Sequence, residues 1–85
     1  MKLLTPDTKM VTYYGLQFHV PKETKVITAD RNGDLTAWSS DAGLYANSDF
    51  GVWNSNSTFG NRVLANLGTV EFQGEDWEQT KMEFF

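Results

Sequence analysis

Asp30, Asn32, Asp34 and Asp41 place oxygen side chains at the spacing of positions 1, 3, 5 and 12 of a helix-flanked calcium loop. Position 6 of such a loop needs glycine for its sharp turn, yet Leu35 stands there and Gly33 comes two places early. The last ligand position usually holds a bidentate glutamate, and no helical periodicity flanks the segment. The same letters, ITADRNGDLTAW, also spell a β-hairpin tip, with Asn32–Gly33 between two runs of β-branched and apolar residues. The hairpin is the stronger reading, so no metal and no cofactor is expected.

Other chemistry-bearing residues give weaker patterns. His19 is the single histidine, so a nucleophile–base constellation has to run through it. It alternates with Phe18 and Val20 on the polar face of a strand, and no glycine-flanked serine elbow accompanies it. Glu71, Glu75, Asp76, Glu78 and Glu83 gather near the C-terminus, where a glycosidase-like carboxylate pair is conceivable. Solvated faces and helix caps explain such clusters more simply, and catalysis is not expected. The Asn56 sequon, Asn-Ser-Thr, matches a glycosylation acceptor but lacks a secretory context. The glycines are spaced as turn residues and form no phosphate-cradling loop.

The elements that must position these residues are bounded by length and composition. Eighty-five residues suit one domain over 1–85, because a chain this short buries only roughly 60–65% of its unfolded surface. With no cysteine, neither a disulfide framework nor a thiolate metal site is available. Three Trp, three Tyr and six Phe supply the large apolar areas a small core needs. The start, MKLLTPDTKM, falls short of the apolar run of a signal peptide or membrane span, which leads to the expectation of a cytoplasmic protein. Eleven acidic against seven basic residues give a net charge of −4, which disfavours nucleic acid as a partner.

Periodicity predicts a mainly β, antiparallel sheet of four to five strands, with one short helical turn. Leu16, Phe18 and Val20 alternate with Gln17 and His19 until Pro21 ends the strand. KETKVITAD and DLTAWSS form the next pair. A type I turn over Asp30–Arg31–Asn32–Gly33, with Gly33 left-handed at a bulge, sets Ile27 and Ala29 opposite Ala37 and Leu35 on one apolar face. Val26, Thr28, Thr36 and Trp38 then line the other. Residues 41–61 read as long Asn/Ser/Gly-rich loops around a short strand at Val52–Trp53. VLANLGTVEF reads as a strand, with a short helix capped by Asn61 and stopped by Gly68 as the competing reading. Asp76 caps a turn, WEQT, with Gln79 at the capping-box position, and KMEFF closes the sheet.

A small sheet has two faces, and a short chain is expected to cover one of them fully. Some aromatics should therefore stay accessible. The exposed members of Tyr13, Tyr14, Trp38, Tyr45 and Trp53, beside Asp41 and Asp49, are the expected partner-binding residues, because aromatic anchors next to carboxylates suit a basic surface. An unpaired edge strand also offers a route to a homodimer.

A strand ending in Val20–Pro21 leads to an Ala-Asp-x-x-Gly hairpin at Ala29, Asp30 and Gly33, followed by Ala37 and a middle strand with Trp53. Leu67, Gly68 and Val70 come next, then Gly74, Asp76 and Trp77. This order of features resembles small accessory proteins of tailed phages and prophages of enteric bacteria. The likeness runs from about residue 16 onward, and the Asn/Ser-rich middle departs from it. The resemblance implies a product made in the host cytoplasm that binds and blocks a host protein, such as a defence factor, without catalysis. Sequestration of a signalling nucleotide is the alternative it leaves open, with a nucleic-acid-associated role behind it.

Overall fold

The computed structural model describes residues 1, 8–56 and 60–84. The chain runs β1 (Thr8–Tyr13), β2 (Leu16–Pro21), β3 (Val26–Ala29), β4 (Asp34–Trp38), β5 (Leu44–Asn47), β6 (Val52–Ser55) and β7 (Val63–Thr69). A 3₁₀ turn at Trp77–Gln79 and a two-residue β8 (Met82–Glu83) follow. The protein is mainly β and antiparallel, as periodicity predicts. Among the described residues it has eight strands in three sheets rather than the four or five of one sheet. Part of the Asn56 sequon and most of the N-terminal start lie outside the described residues.

The central sheet has the order β7-β4-β3-β8, and its register is the one the turn chemistry predicts. Ile27 pairs with Ala37, Ala29 with Leu35, Thr28 with Thr36 and Val26 with Trp38. Gly33 donates to the Asp30 carbonyl at 2.8 Å and Asp30 to the Asp34 carbonyl at 2.9 Å. Gly33 has φ 93, and a Cβ there would sit 2.0 Å from the Val70 carbonyl oxygen. Glycine is therefore required twice over, once by conformation and once by space.

A second hairpin, β1–β2, turns through Tyr14–Gly15, and all six of its strand pairs run from Thr8 with Pro21 to Tyr13 with Leu16. Both turn residues have positive φ, 48 at Tyr14 and 78 at Gly15, which is the geometry of a two-residue primed turn. A non-glycine residue in this region costs about 1–2 kcal/mol.

These three sheets stack as layers. β1–β2 lies on the Ile27/Ala29/Leu35 face, where Tyr13 and Val20 join the core and Phe18, Leu67, Val70, Phe72 and Met82 pack around it. β5–β6 lies on the opposite face, with Trp53 against Val26 and Trp38, flanked by Leu44, Ala46 and Trp77. All four residues of β3 are consequently buried. The expectation that one sheet face stays open is corrected here: the loop-rich middle folds into its own hairpin and covers the second face.

The strand reading of VLANLGTVEF holds over Val63–Thr69, which pairs with β4 through two register shifts, between Leu35 and Thr36 and between Ala37 and Trp38. Such irregularities twist an edge strand and discourage further pairing. Asp76 caps the 3₁₀ turn by accepting from Glu78 N–H at 3.0 Å. No helix among the described residues is long and apolar enough to cross a membrane.

Candidate partner-binding surface

The acidic side chains of the hairpin tip have structural partners. Asp30 Oδ1 accepts from the Trp53 backbone N–H at 2.8 Å, which ties β6 to the central hairpin. Desolvation by the surrounding chain raises the Asp30 pKa above the usual aspartate value, the Trp53 N–H opposes this, and nearby Asp34 adds to it. Asp34 Oδ1 accepts from Thr69 Oγ1 at 2.7 Å. Its backbone N–H is held by Asn32 Oδ1 at 3.0 Å, and its Oδ2 accepts from Asn32 Nδ2 at 3.1 Å. Among the described residues no three His, Asp or Glu side chains converge as metal ligands.

Three of the seven expected partner-binding residues are core. Trp38 is buried, and its indole N–H donates to the buried Thr28 hydroxyl at 2.9 Å. Trp53 is buried with its indole N–H on the Trp77 carbonyl at 3.1 Å. Tyr13 is buried with its hydroxyl on the Thr80 carbonyl at 2.8 Å. Burial pushes the Tyr13 phenol up to about 12, opposed by the lowering effect of the Thr80 side chain. Trp38 and Trp53 have no face to offer a partner, because β5–β6 packs over that side of β3, and Tyr13 is buried in the cluster on the other side.

Tyr14, Tyr45, Asp41 and Asp49 remain on the surface, spread over three parts of the fold. Tyr14 is the first turn residue of β1–β2. Asp41 meets Glu83 beside a shallow cleft of about 260 Å³ that Lys25 and Phe84 also line. A hydrogen bond between the two carboxyl groups, followed by their mutual repulsion, raises Glu83 above the usual glutamate value. The pair stands in solvent, where screening keeps such coupling weak.

Tyr45 and Asp49 belong to the β5–β6 hairpin. Tyr45 pairs with Asn54 and Asn47 with Val52, so these residues share the face turned away from the Trp53 core. The connecting turn is tightly held. Asn47 Oδ1 accepts from the N–H groups of Asp49 at 3.1 Å and Phe50 at 3.4 Å, and Gly51 N–H reaches the Asn47 carbonyl at 2.8 Å. From across the fold, Arg31 N–H donates to the Gly51 carbonyl at 2.8 Å, and its guanidinium donates to the Ser48 carbonyl. The same guanidinium lies 5.4 Å from the centre of the Trp77 ring, within cation–π range.

At the tip of this turn Phe50 is 78% exposed. Sequence reasoning passed over it, although it is the lone large apolar residue in the polar tract Asn-Ser-Asp-Phe-Gly.

No family model, curated protein or solved structure matches this chain.

The described surface carries an aromatic knob, Phe50, next to Asp49 in a turn held by several backbone hydrogen bonds.

Proposed function

We propose that the chain is a non-catalytic protein-binding module, an accessory product of phage type that acts on a host protein in the host cytoplasm by occupying one of its surfaces. The observation that carries this reading is the exposed Phe50 on a hydrogen-bonded turn. A solvent-facing phenylalanine contributes little to folding, whereas a rigid presentation lowers the entropy lost on association. Buried aromatic anchors with nearby carboxylates dominate binding energy at interfaces with basic surfaces. Asp49 precedes the anchor in the turn and supplies such a carboxylate, and Tyr45 is exposed on the strand that leads into the turn.

The nucleotide-sequestering alternative has less support. It needs cationic donors converging on phosphate, and Arg31 is already committed to Ser48 and Trp77.

The test is an affinity capture of the tagged protein from enteric host lysate, treated with nuclease and read by mass spectrometry. The reading expects one stoichiometric host protein that is lost with Phe50→Ser and with Asp49→Lys and retained with His19→Ala. Capture that survives both loop substitutions would remove the β5–β6 turn as the binding surface. Capture that vanishes with nuclease would point to nucleic acid instead.

A further inference from the structure

Two-residue turns with both φ values positive are ordinarily filled by Asn-Gly or Gly-Gly, but here the first place holds Tyr14 at φ 48. A backbone outlier of this kind is reason to look for a use of the side chain it carries. The Tyr14 ring stands edge-on to Tyr13, with centroids 4.9 Å apart and planes at 73°. Its hydroxyl donates to the Gln79 carbonyl at 3.3 Å. Even so, 48% of the residue is exposed, so neither contact consumes the ring.

What Tyr14 borders is a cleft of about 180 Å³ between the β1–β2 turn and the segment that follows β7. Tyr13, Leu16 and Phe72 make its apolar part, and the acidic residues Glu71 and Glu75 line it as well. The Glu75 carboxylate is oriented by the chain itself, accepting from Gln73 N–H at 2.7 Å. An aromatic wall beside two carboxylates is a setting for a cation, since ring faces attract positive charge and carboxylates fork onto it. A planar guanidinium satisfies both at once, which a compact ammonium does less well. The net charge of −4 favours a basic partner and opposes an anionic one.

We propose that this cleft receives one arginine side chain of a partner polypeptide, with the guanidinium between the Tyr14 ring and the carboxylates of Glu71 and Glu75. The cleft uses none of the residues of the Phe50 turn. Its failure as an arginine site would leave that surface untouched, and the reverse holds as well.

The experiment is an amide-resolved NMR titration of the isotope-labelled protein with acetyl-Gly-Arg-Gly-amide, its citrulline counterpart and agmatine. The proposal expects saturable shifts at Tyr14, Leu16 and Glu71 to Glu75 with the arginine peptide and little response to the neutral citrulline peptide. Tyr14→Asn restores a favoured turn residue, so its melting temperature should not fall, while affinity for the peptide drops by roughly 5-fold. Joint Glu71→Gln and Glu75→Gln substitution should weaken binding by about 10-fold. Absence of saturable shifts, equal response to citrulline, or unchanged affinity in Tyr14→Asn would overturn the proposal. Tighter binding of agmatine than of the peptide would assign the cleft to a free small cation and overturn the polypeptide occupant.

Discussion

Thr80 completes the hydrogen bonding of Ala29 across 51 residues of sequence: its Oγ1 accepts the Ala29 N–H at 3.0 Å and lies 3.1 Å from the Ala29 carbonyl oxygen. β8 pairs only with Val26 and Ile27, so a side chain takes over where the ladder stops. The Thr80 hydroxyl also lies 2.7 Å from the Trp77 carbonyl, and its own carbonyl receives the Tyr13 hydroxyl. One buried threonine thus joins the central sheet, the 3₁₀ turn and the β1–β2 hairpin.

Replacing Thr80 with the isosteric valine keeps the volume and leaves buried Ala29 polar groups without a partner. Unfolding in urea should show a loss of about 1–3 kcal/mol. Thr80→Ser, which keeps the hydroxyl, should lose clearly less, and equal losses for the two would mean that methyl packing rather than hydrogen bonding matters at this position.

Two glycines with positive φ should respond differently to alanine. At Gly15 a Cβ meets nothing within 4 Å, so the expected cost is the conformational one, about 1–2 kcal/mol. At Gly33 the same conformational cost is joined by a collision with the Val70 carbonyl oxygen at 2.0 Å, which forces the β7 end away from the hairpin. Thermal unfolding of the two variants should rank Gly33→Ala well below Gly15→Ala. Comparable midpoints would contradict the close approach of Val70.

Trp38→Phe separates core from surface. It removes the indole donor to the buried Thr28 hydroxyl and some of the ring that fills the β5–β6 side, for an expected loss of about 1–3 kcal/mol. Under conditions where the variant remains folded, capture of the partner should persist, because Trp38 presents no surface. Selective loss of binding with stability intact would return Trp38 to the interface.

Asp30 gives a pH dependence of defined sign. Its folded-state pKa is raised above the ordinary value, chiefly by desolvation, so the folded protein holds this proton after the unfolded chain has released it. The associated stability is complete below the unfolded aspartate pKa and is lost as pH rises through the higher folded value. Asp30→Asn keeps an oxygen for the Trp53 N–H and removes the ionisation. The stability of the variant relative to the parent should therefore increase over that acidic window and level off above it, as followed by urea unfolding at a series of pH values. A difference that declines with rising pH would show that the carboxylate is favoured by the fold.

Much of the local architecture was legible in the residues. Alternation identified β2, and Asn32–Gly33 with a preceding aspartate set the register of β3 and β4, because turn geometry and side-chain parity are both local and reinforce each other. Asp76 was legible as a cap for the same reason. The Tyr14–Gly15 turn was not, since tyrosine is a poor residue for positive φ and its neighbours continue the strand pattern on both sides. The cleft behind Tyr14 was equally hidden, being assembled from residues 13–16 and 70–80 that only folding brings together.

What the sequence by itself determined is the antiparallel β class, the central hairpin with its two side-chain faces, and an acidic character that suits basic partners. Only the tertiary structure decided which aromatics are core. Trp38 and Trp53 are hidden because β5–β6 folds over the second face of β3, anchored by Asp30 to the Trp53 N–H and by Arg31 to Ser48 and Gly51. Those contacts lie 17 to 23 residues apart in the chain. Periodicity reports which side of a strand a residue occupies, whereas burial depends on what later packs against that side.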